Sequence, residues 1–497
     1  MKKASVFIDT SLITGQTDDR LFSSFIEHLG RAVYGGIYEP DHPDADGQGF
    51  RQDVLALVRE LGVESVRYPG GNFLSGYDWK DGIGPRDQRP RRLDLAWHSI
   101  EPNLVGIDEF YDWTVKAGTK IMGAVNMGTG TPKDAGELLE YCNFPGGTAW
   151  SDLRRKNGHE KPYGIKTWCI GNEMDGKWQI CHLEADDYGK KARETAKIMK
   201  WIDSSVELVV CGSASSDLPS YPSWDRTVLE YTYDNIDYLS LHHYYENHGN
   251  DDDFLSSFVD MDTFIKRVAS TIDYVKTVKR AKKTVNLSFD EWNIWYQSQD
   301  KDHDWLEAPA ILEDHYSLLD ALVFAGLGMT LVNNADRVKI ACLAQLVNVI
   351  APIFTQNGGK VIRQSIYYPF KELSTHARGT VLHPVVRSET IETCYGDAPL
   401  LHTAAVVSAD GRELHLFLLN ISRTDSQQVS LNLSSIGSST LTSWMQLSGP
   451  DLHAVNTFEH PDAVVPRMFP VDAIGAEHGI YTIETAPLSW NSLTFRL

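Results

Sequence analysis

The chain reads as an α/β protein, a (β/α)8 TIM barrel followed by a β-sandwich, and three features predict this. Between Phe22 and Asn334 eight short apolar runs alternate with helix-length segments. Each run closes on polar residues, as strands do when their C-terminal ends gather at one working face. After about Pro369 the pattern changes to a period of two.

The runs fall at 24–27, 65–68, 121–126, 165–172, 208–213, 238–242, 285–290 and 329–334. Their polar ends include Glu27, Arg67, Asn126, Glu173, Ser213, His242, Glu291 and Asn333. Between them the helical period is plain, as in Val54, Leu57, Val58 and Leu61, or Tyr188, Ala192, Thr195, Ala196 and Met199. Such stripes cover the outside of a barrel. Further on, Leu414, Leu416 and Leu418 alternate with other residues, as do Val429, Leu431 and Leu433, and Asp410-Gly411 marks a hairpin turn. The expected layout is a catalytic barrel over residues 17–370 and a jelly-roll-like sandwich over 371–497, joined by an N-terminal strand within 1–16.

At 497 residues the chain exceeds one core, and 42% apolar content supports a packed protein. Lys and Arg total 46 against 67 acids, a net charge of −21 that disfavours nucleic acid and anionic membrane as partners. A neutral substrate suits this surface. No stretch has the length of a membrane span, and the first residues carry no secretory pattern, so a cytoplasmic location is expected. The six cysteines are scattered, as reduced thiols would be, and none is assigned a role.

Two glutamates close apolar runs in Gly171-Asn-Glu173-Met and Phe289-Asp-Glu291-Trp. Glycoside hydrolysis with retention needs two carboxylates facing one sugar, one protonated for the leaving oxygen and one ionised for attack. Strand ends across a barrel hold side chains at such distances. The bland alternative for each glutamate is an ion pair on the rim.

Four strings carry a resemblance: Arg67-Tyr-Pro-Gly-Gly-Asn72-Phe, Tyr77-Asp-Trp-Lys-Asp-Gly-Ile-Gly-Pro85, Gly171-Asn-Glu-Met-Asp-Gly-Lys-Trp178-Gln and Phe289-Asp-Glu-Trp-Asn-Ile-Trp-Tyr296. The chain resembles the α-L-arabinofuranosidases of glycoside hydrolase family 51 over nearly its whole length. The resemblance implies Glu173 as acid/base and Glu291 as nucleophile of a retaining exo-acting enzyme, with Asn172 on the sugar 2-hydroxyl. It places Glu27, Arg67, Asn72 and Gln345 around the furanose and Tyr244 near the nucleophile. Gln345 is expected in a helical stretch beyond the eighth strand. Trp178 and Trp295 follow the two motifs as site walls. The resemblance further implies arabinofuranosyl oligosaccharides of arabinan or arabinoxylan as substrates, no cofactor, and a homo-oligomer, often a hexamer.

The chain departs from the family pattern at Lys177 and Cys181, where Pro and Gly are expected, and this bears on the leaving group. His242, His243, His248 and the aspartates 251–253 lack a metal-ligand spacing. Gly70-Gly71 and Gly82-Ile-Gly84 match no phosphate loop and read as tight rim turns. The polar stretch 298–305 forms either a rim carrying Trp305 or an ordinary loop. Two other readings stand beside the main one: another retaining clan-A hydrolase, such as a β-xylosidase or endoglucanase, and a carbohydrate-binding barrel without catalysis.

Overall fold

The computed structural model describes residues 2–296, 304–472 and 474–497. Among them eight parallel strands close into a barrel in chain order: Ser23–Phe25, Ser65–Tyr68, Lys120–Val125, Thr167–Ile170, Glu207–Val210, Tyr238–Tyr245, Asn286–Ile294 and Val338–Leu343. The last pairs with the first through Cys342↔Ser23 and Leu343↔Ser24, which removes every open edge. Strands covered on both sides are apolar without alternation, and Leu208, Val209 and Val210 are all fully buried.

The helical stripes face inward. Val54, Leu57, Val58 and Leu61 are the buried face of the helix Gln52–Leu61, which ends on Gly62 at φ 68°, a conformation that glycine adopts without strain. Tyr188, Ala192, Thr195, Ala196 and Met199 are buried on Ala185–Ile202.

The eighth run is the exception. Residues 329–334 do not form a barrel strand; 329–333 end the helix Leu318–Asn333, and the strand lies later, at Val338–Leu343. This helix is buried on nearly every side, so no polar stripe reveals its period. Its start is nevertheless marked by a capping box, in which Asp320 Oδ2 accepts from Ser317 N and Ser317 Oγ accepts from Asp320 N. Asn333, expected at a strand end, instead donates to the Thr403 carbonyl across the domain junction at 3.0 Å. Gln345 consequently follows the eighth strand directly and lies in no helix.

Two sheets form the sandwich. The larger orders Ile13–Gln16, Gly379–Leu382, Leu401–Ser408, Glu413–Asn420, Ser489–Arg496, Thr440–Leu447 and Arg467–Met468; the smaller orders Val385–Arg387, Lys2–Phe7, Gln427–Asn432 and Ile480–Thr485. Lys2–Phe7 runs parallel to Gln427–Asn432, so the start of the chain adds a strand to the smaller sheet before entering the barrel. Leu414, Leu416, Leu418, Val429, Leu431 and Leu433 fill the space between the sheets together with Val6 and Ile8. Among the described residues no helix is long and apolar enough to cross a membrane.

Candidate active site

Six strand ends supply the site at the C-terminal face of the barrel. The first leads to Glu27, the second carries Arg67, the fourth leads to Asn172 and Glu173, the sixth carries His242 and Tyr244, the seventh carries Asp290 and Glu291, and the eighth leads to Gln345. His242 pairs in register with Glu291 on the neighbouring strand, and Tyr244 lies two residues on, so both project to one face. Glu173 stands at φ 43°, a left-handed conformation that costs a non-glycine residue energy and aims its side chain into the barrel mouth.

The two carboxylates meet around one imidazole. His242 Nδ1 donates to Glu173 Oε1 at 2.9 Å and lies 3.6 Å from Glu291 Oε2, while its Nε2 lies 3.2 Å from Asp290 Oδ1. The ligand atoms of Glu173, His242 and Glu291 are all within 4.8 Å of one another. That closeness fits the roughly 5–5.5 Å of carboxyl pairs that attack the sugar directly better than the about 6.5–9.5 Å of pairs that hold a water between them. These three side chains form the one described cluster able to meet a single cation. Their donor atoms are already taken up by one another and by Arg67, Tyr244 and Trp178.

Arg67 is almost fully buried and binds three groups. It donates to Glu291 Oε1 and to Asn172 Oδ1, each at 2.6 Å, and its Nε lies 3.6 Å from Asp290 Oδ2. Tyr244 donates to Glu291 Oε2 at 2.8 Å. With its oxygen held by Arg67, Asn172 has only long contacts at Nδ2, 3.3 Å to Asn72 and 3.5 Å to Gln179. Those N–H groups are free to turn to a sugar hydroxyl.

Glu27 forms the opposite wall. Its Oε1 accepts from Phe73 N at 2.8 Å and Trp97 Nε1 at 2.9 Å, and Gln345 Oε1 accepts from Glu27 N at 3.1 Å. Gly70-Gly71 serves this glutamate. A Cβ on Gly70, which sits at φ 120°, would come within 2.5 Å of Glu27 Cβ, and one on Gly71 within 2.9 Å of Glu27 Oε2.

At the rim, Trp178 is half exposed and donates to Glu173 Oε2 at 2.6 Å. Gly176 lets this indole fold back, since a Cβ there would stand 2.4 Å from the ring. Cys181, where the family pattern has glycine, takes φ 56°. Trp295 packs edge-on to Tyr244. Of the stretch 298–305, residues 298–303 lie outside the described residues; Trp305 stacks on His98. A cavity of about 700 Å³ opens at the opposite end of the barrel among strand starts such as Ser65, Lys120 and Thr167, away from the carboxylates.

The charges sort these groups. Burial alone would strip His242 of its proton, but Glu291, Asp290 and Glu173 lift it to about 10, so it is an imidazolium at neutral pH. Burial raises Glu291, against the opposing pull of His242 and Arg67. Burial also opposes ionisation of Asp290, yet Arg67 and His242 hold it below the usual carboxylate range. Glu27 is pushed up to about 8, mainly by burial.

Two family models match the chain. The α-L-arabinofuranosidase 1 domain matches residues 57–264, and the α-L-arabinofuranosidase C-terminal domain matches residues 290–489. A protein from Bacillus subtilis (strain 168), named intracellular exo-α-(1→5)-L-arabinofuranosidase 1, is 49% identical, covering 100% of this chain and 99% of its own. The chain belongs to the α-L-arabinofuranosidases of glycoside hydrolase family 51.

Other relatives of this family 51 chain carry different linkages in their names. A Bifidobacterium longum protein named exo-α-(1→6)-L-arabinofuranosidase is 46% identical over 99% of this chain and 97% of its own. Among solved structures, a family 51 α-L-arabinofuranosidase from Bifidobacterium longum superposes with a TM-score of 0.95 at 44% identity, covering 100% of both chains. An α-L-arabinofuranosidase from Thermotoga maritima, solved as an arabinose complex, gives 0.89 at 35% identity, also covering both chains fully.

The family 51 fold gathers at one mouth the residues that the resemblance places around the sugar: Glu27, Arg67, Asn72, Asn172, Glu173, Tyr244, Glu291 and Gln345 within it, Trp178 and Trp295 at its edge. Sequence reasoning missed four contributors: His242, Asp290, Trp97 and Gln179. His242 was legible in principle, because the sixth and seventh strands are neighbours in a barrel and their ends face one another. Trp97 was not, because it arrives on the hairpin of Arg92–Asp94 and Ser99–Glu101, outside the strand-end pattern. Asn126 and Ser213 cap loops: Asn126 accepts from Gly128 N, and Ser213 bonds Asp225.

Proposed function

We propose that this α-L-arabinofuranosidase is exo-acting and retaining, with Glu173 as acid/base and Glu291 as nucleophile. The close approach of the two carboxylates about His242 carries this reading. Arg67 and Tyr244 hold one oxygen each of Glu291, which orients the carboxylate for attack. Glu173 protonates the leaving oxygen, and then, as a carboxylate, takes a proton from the water that hydrolyses the ester. Asn172, fixed through its oxygen, donates Nδ2–H to the 2-hydroxyl.

The substrates are terminal non-reducing arabinofuranosyl units of arabinan or arabinoxylan oligosaccharides. Names of relatives support the sugar and the exo mode, and the two linkages among them leave the choice of linkage to assay. Relatives named intracellular support a cytoplasmic location. The proposal includes a homo-oligomer, a hexamer on the family resemblance, which light scattering would check, and no binding to nucleic acid or membrane.

The test is hydrolysis of an aryl α-L-arabinofuranoside by wild type, Glu173→Ala and Glu291→Ala with added azide. Both variants lose activity; the first yields a retained azide adduct and the second an inverted one. Activity surviving either change would refute the assignment. Cleavage of the corresponding xyloside alone would move the protein to another retaining specificity.

A further inference from the structure

The negative charge in this site has to move, and one side chain touches both of its positions. On the reading above, on which this inference rests, Glu291 starts as the anion and Glu173 as the acid. Attack forms the bond from Glu291 to the anomeric carbon and breaks the bond to the leaving oxygen, which takes the Glu173 proton. The charge has then passed from Glu291 to Glu173. In the second half water attacks, Glu173 takes its proton, the ester bond breaks and Glu291 leaves as carboxylate.

The neighbours of the two glutamates differ in reach. Arg67 and Tyr244 bond Glu291, and Trp178 bonds Glu173. His242 Nδ1 stands 2.9 Å from Glu173 Oε1 and 3.6 Å from Glu291 Oε2, so a small turn of the ring moves its N–H from one to the other. The ring is 2% exposed, its strand is in register with that of Glu291, and its backbone N–H donates to Ser213 O. Behind it Asp290, 3.2 Å from Nε2, supplies a fixed anion whichever glutamate is ionised. Glu173, Asp290 and Glu291 stand against the ring, and Asp175 acts on it from after the fourth strand; Arg67 and Tyr244 reach it through their contacts with Asp290 and Glu291.

We propose that His242 is a positioning residue that holds one positive charge between the two glutamates, its Nδ1–H following the negative charge from Glu291 to Glu173 and back. No proton leaves the ring in either half of the reaction. The arrangement also accounts for a second basic group beside Glu291, which already has Arg67: the guanidinium stays on Glu291, while the imidazolium reaches both glutamates.

His242→Asn tests this, because an amide keeps a donor near Nδ1 without the charge. In wild type the acid limb of the dependence of kcat/KM on pH is set by ionisation of Glu291, which His242 favours. With the cation gone that limb moves to higher pH by about one unit or more. A ring that only fixed geometry would lower the rate and leave the limb in place, and that result would overturn the proposal. A second measurement needs no variant. In protein labelled with ring-15N histidine, trapping the glycosyl-enzyme with a slow 2-fluoro arabinofuranosyl donor should shift the His242 Nδ1–H resonance while both nitrogens stay protonated. An adduct on Glu291 with an unmoved resonance would overturn this inference alone. An adduct on another residue would remove the nucleophile assignment, and the proposal with it.

Discussion

Glu27 is a buried carboxyl with two good donors on one oxygen, and its proton affinity is still raised from the ordinary 4.5 to about 8. Burial outweighs the hydrogen bonds, and the charges of Glu291 and Asp94 add to it. A carboxyl with a raised folded pKa contributes stability that is fully present below its unfolded value and is lost as pH rises through the folded one. The free enzyme should therefore melt at progressively lower temperature between pH 4.5 and about 8. His242, raised from 6.5 to about 10, extends the same trend upward. Scanning fluorimetry across this range on wild type and Glu27→Gln is the check: the variant should lose part of the slope below pH 8, and an unchanged slope would count against a protonated Glu27. Asn172 makes a second case. Its Nδ2 has only long contacts, and a bond to the 2-hydroxyl that tightens in the transition state is worth several kcal/mol. Asn172→Ala should lower kcat by about 10²–10³ with little change in KM. The glutamates were legible in sequence because both end apolar runs. Asp290 was not singled out, and His242 was named only as a strand end and a metal-ligand candidate, because their importance lies in a three-way contact that strand order creates.

Elements were read most reliably where burial is one-sided. The stripe Val54, Leu57, Val58 and Leu61 could only be a helix packed on one face. The junction helix Leu318–Asn333 misled because both its neighbours are apolar: Gly326 faces Leu419 of the sandwich, and Gly328 faces Leu373 on the barrel side. An all-round apolar segment has no period to separate helix from strand, so its length and its cap had to decide. The cap makes this testable. Ser317 Oγ accepts from Asp320 N, and Asp320 Oδ2 accepts from Ser317 N and Oγ, both at 2.7 Å. Ser317→Ala removes one half of this reciprocal box and should cost about 1 kcal/mol in a urea melt. An unaltered midpoint would show that packing alone holds the helix end. The same logic explains the strand Glu413–Asn420: Leu414, Leu416 and Leu418 enter the sandwich, as their spacing predicts, while Phe417 and Leu419 face the barrel. A strand covered on both faces shows weaker alternation than its neighbours.

At the scale of the molecule these double-sided elements mean that barrel and sandwich share a core. The hydrophobic cluster of the barrel continues through the junction helix into Ala404, Val406, Phe417, Leu419 and Trp490 of the larger sheet. Polar contacts cross with it: Asn333 donates to the Thr403 carbonyl, and Phe258 of the barrel stacks on His402 at 4.2 Å. Domains joined by small polar interfaces move and melt separately, but an interface built like an interior transmits unfolding from one side to the other. Heating should therefore give one calorimetric transition, coincident with loss of activity, although the sandwich contributes no residue to the catalytic pair. Leu419→Asp places a charge in the shared core with no described partner, at a cost of several kcal/mol. Because Leu419 points away from the inter-sheet core of Leu414, Leu416 and Leu418, that core keeps its own packing. The substitution should then split the transition in two, with activity following only the barrel. A wild type that melts in two steps, or a sandwich that unfolds while hydrolysis continues, would show that the junction is a contact rather than a core.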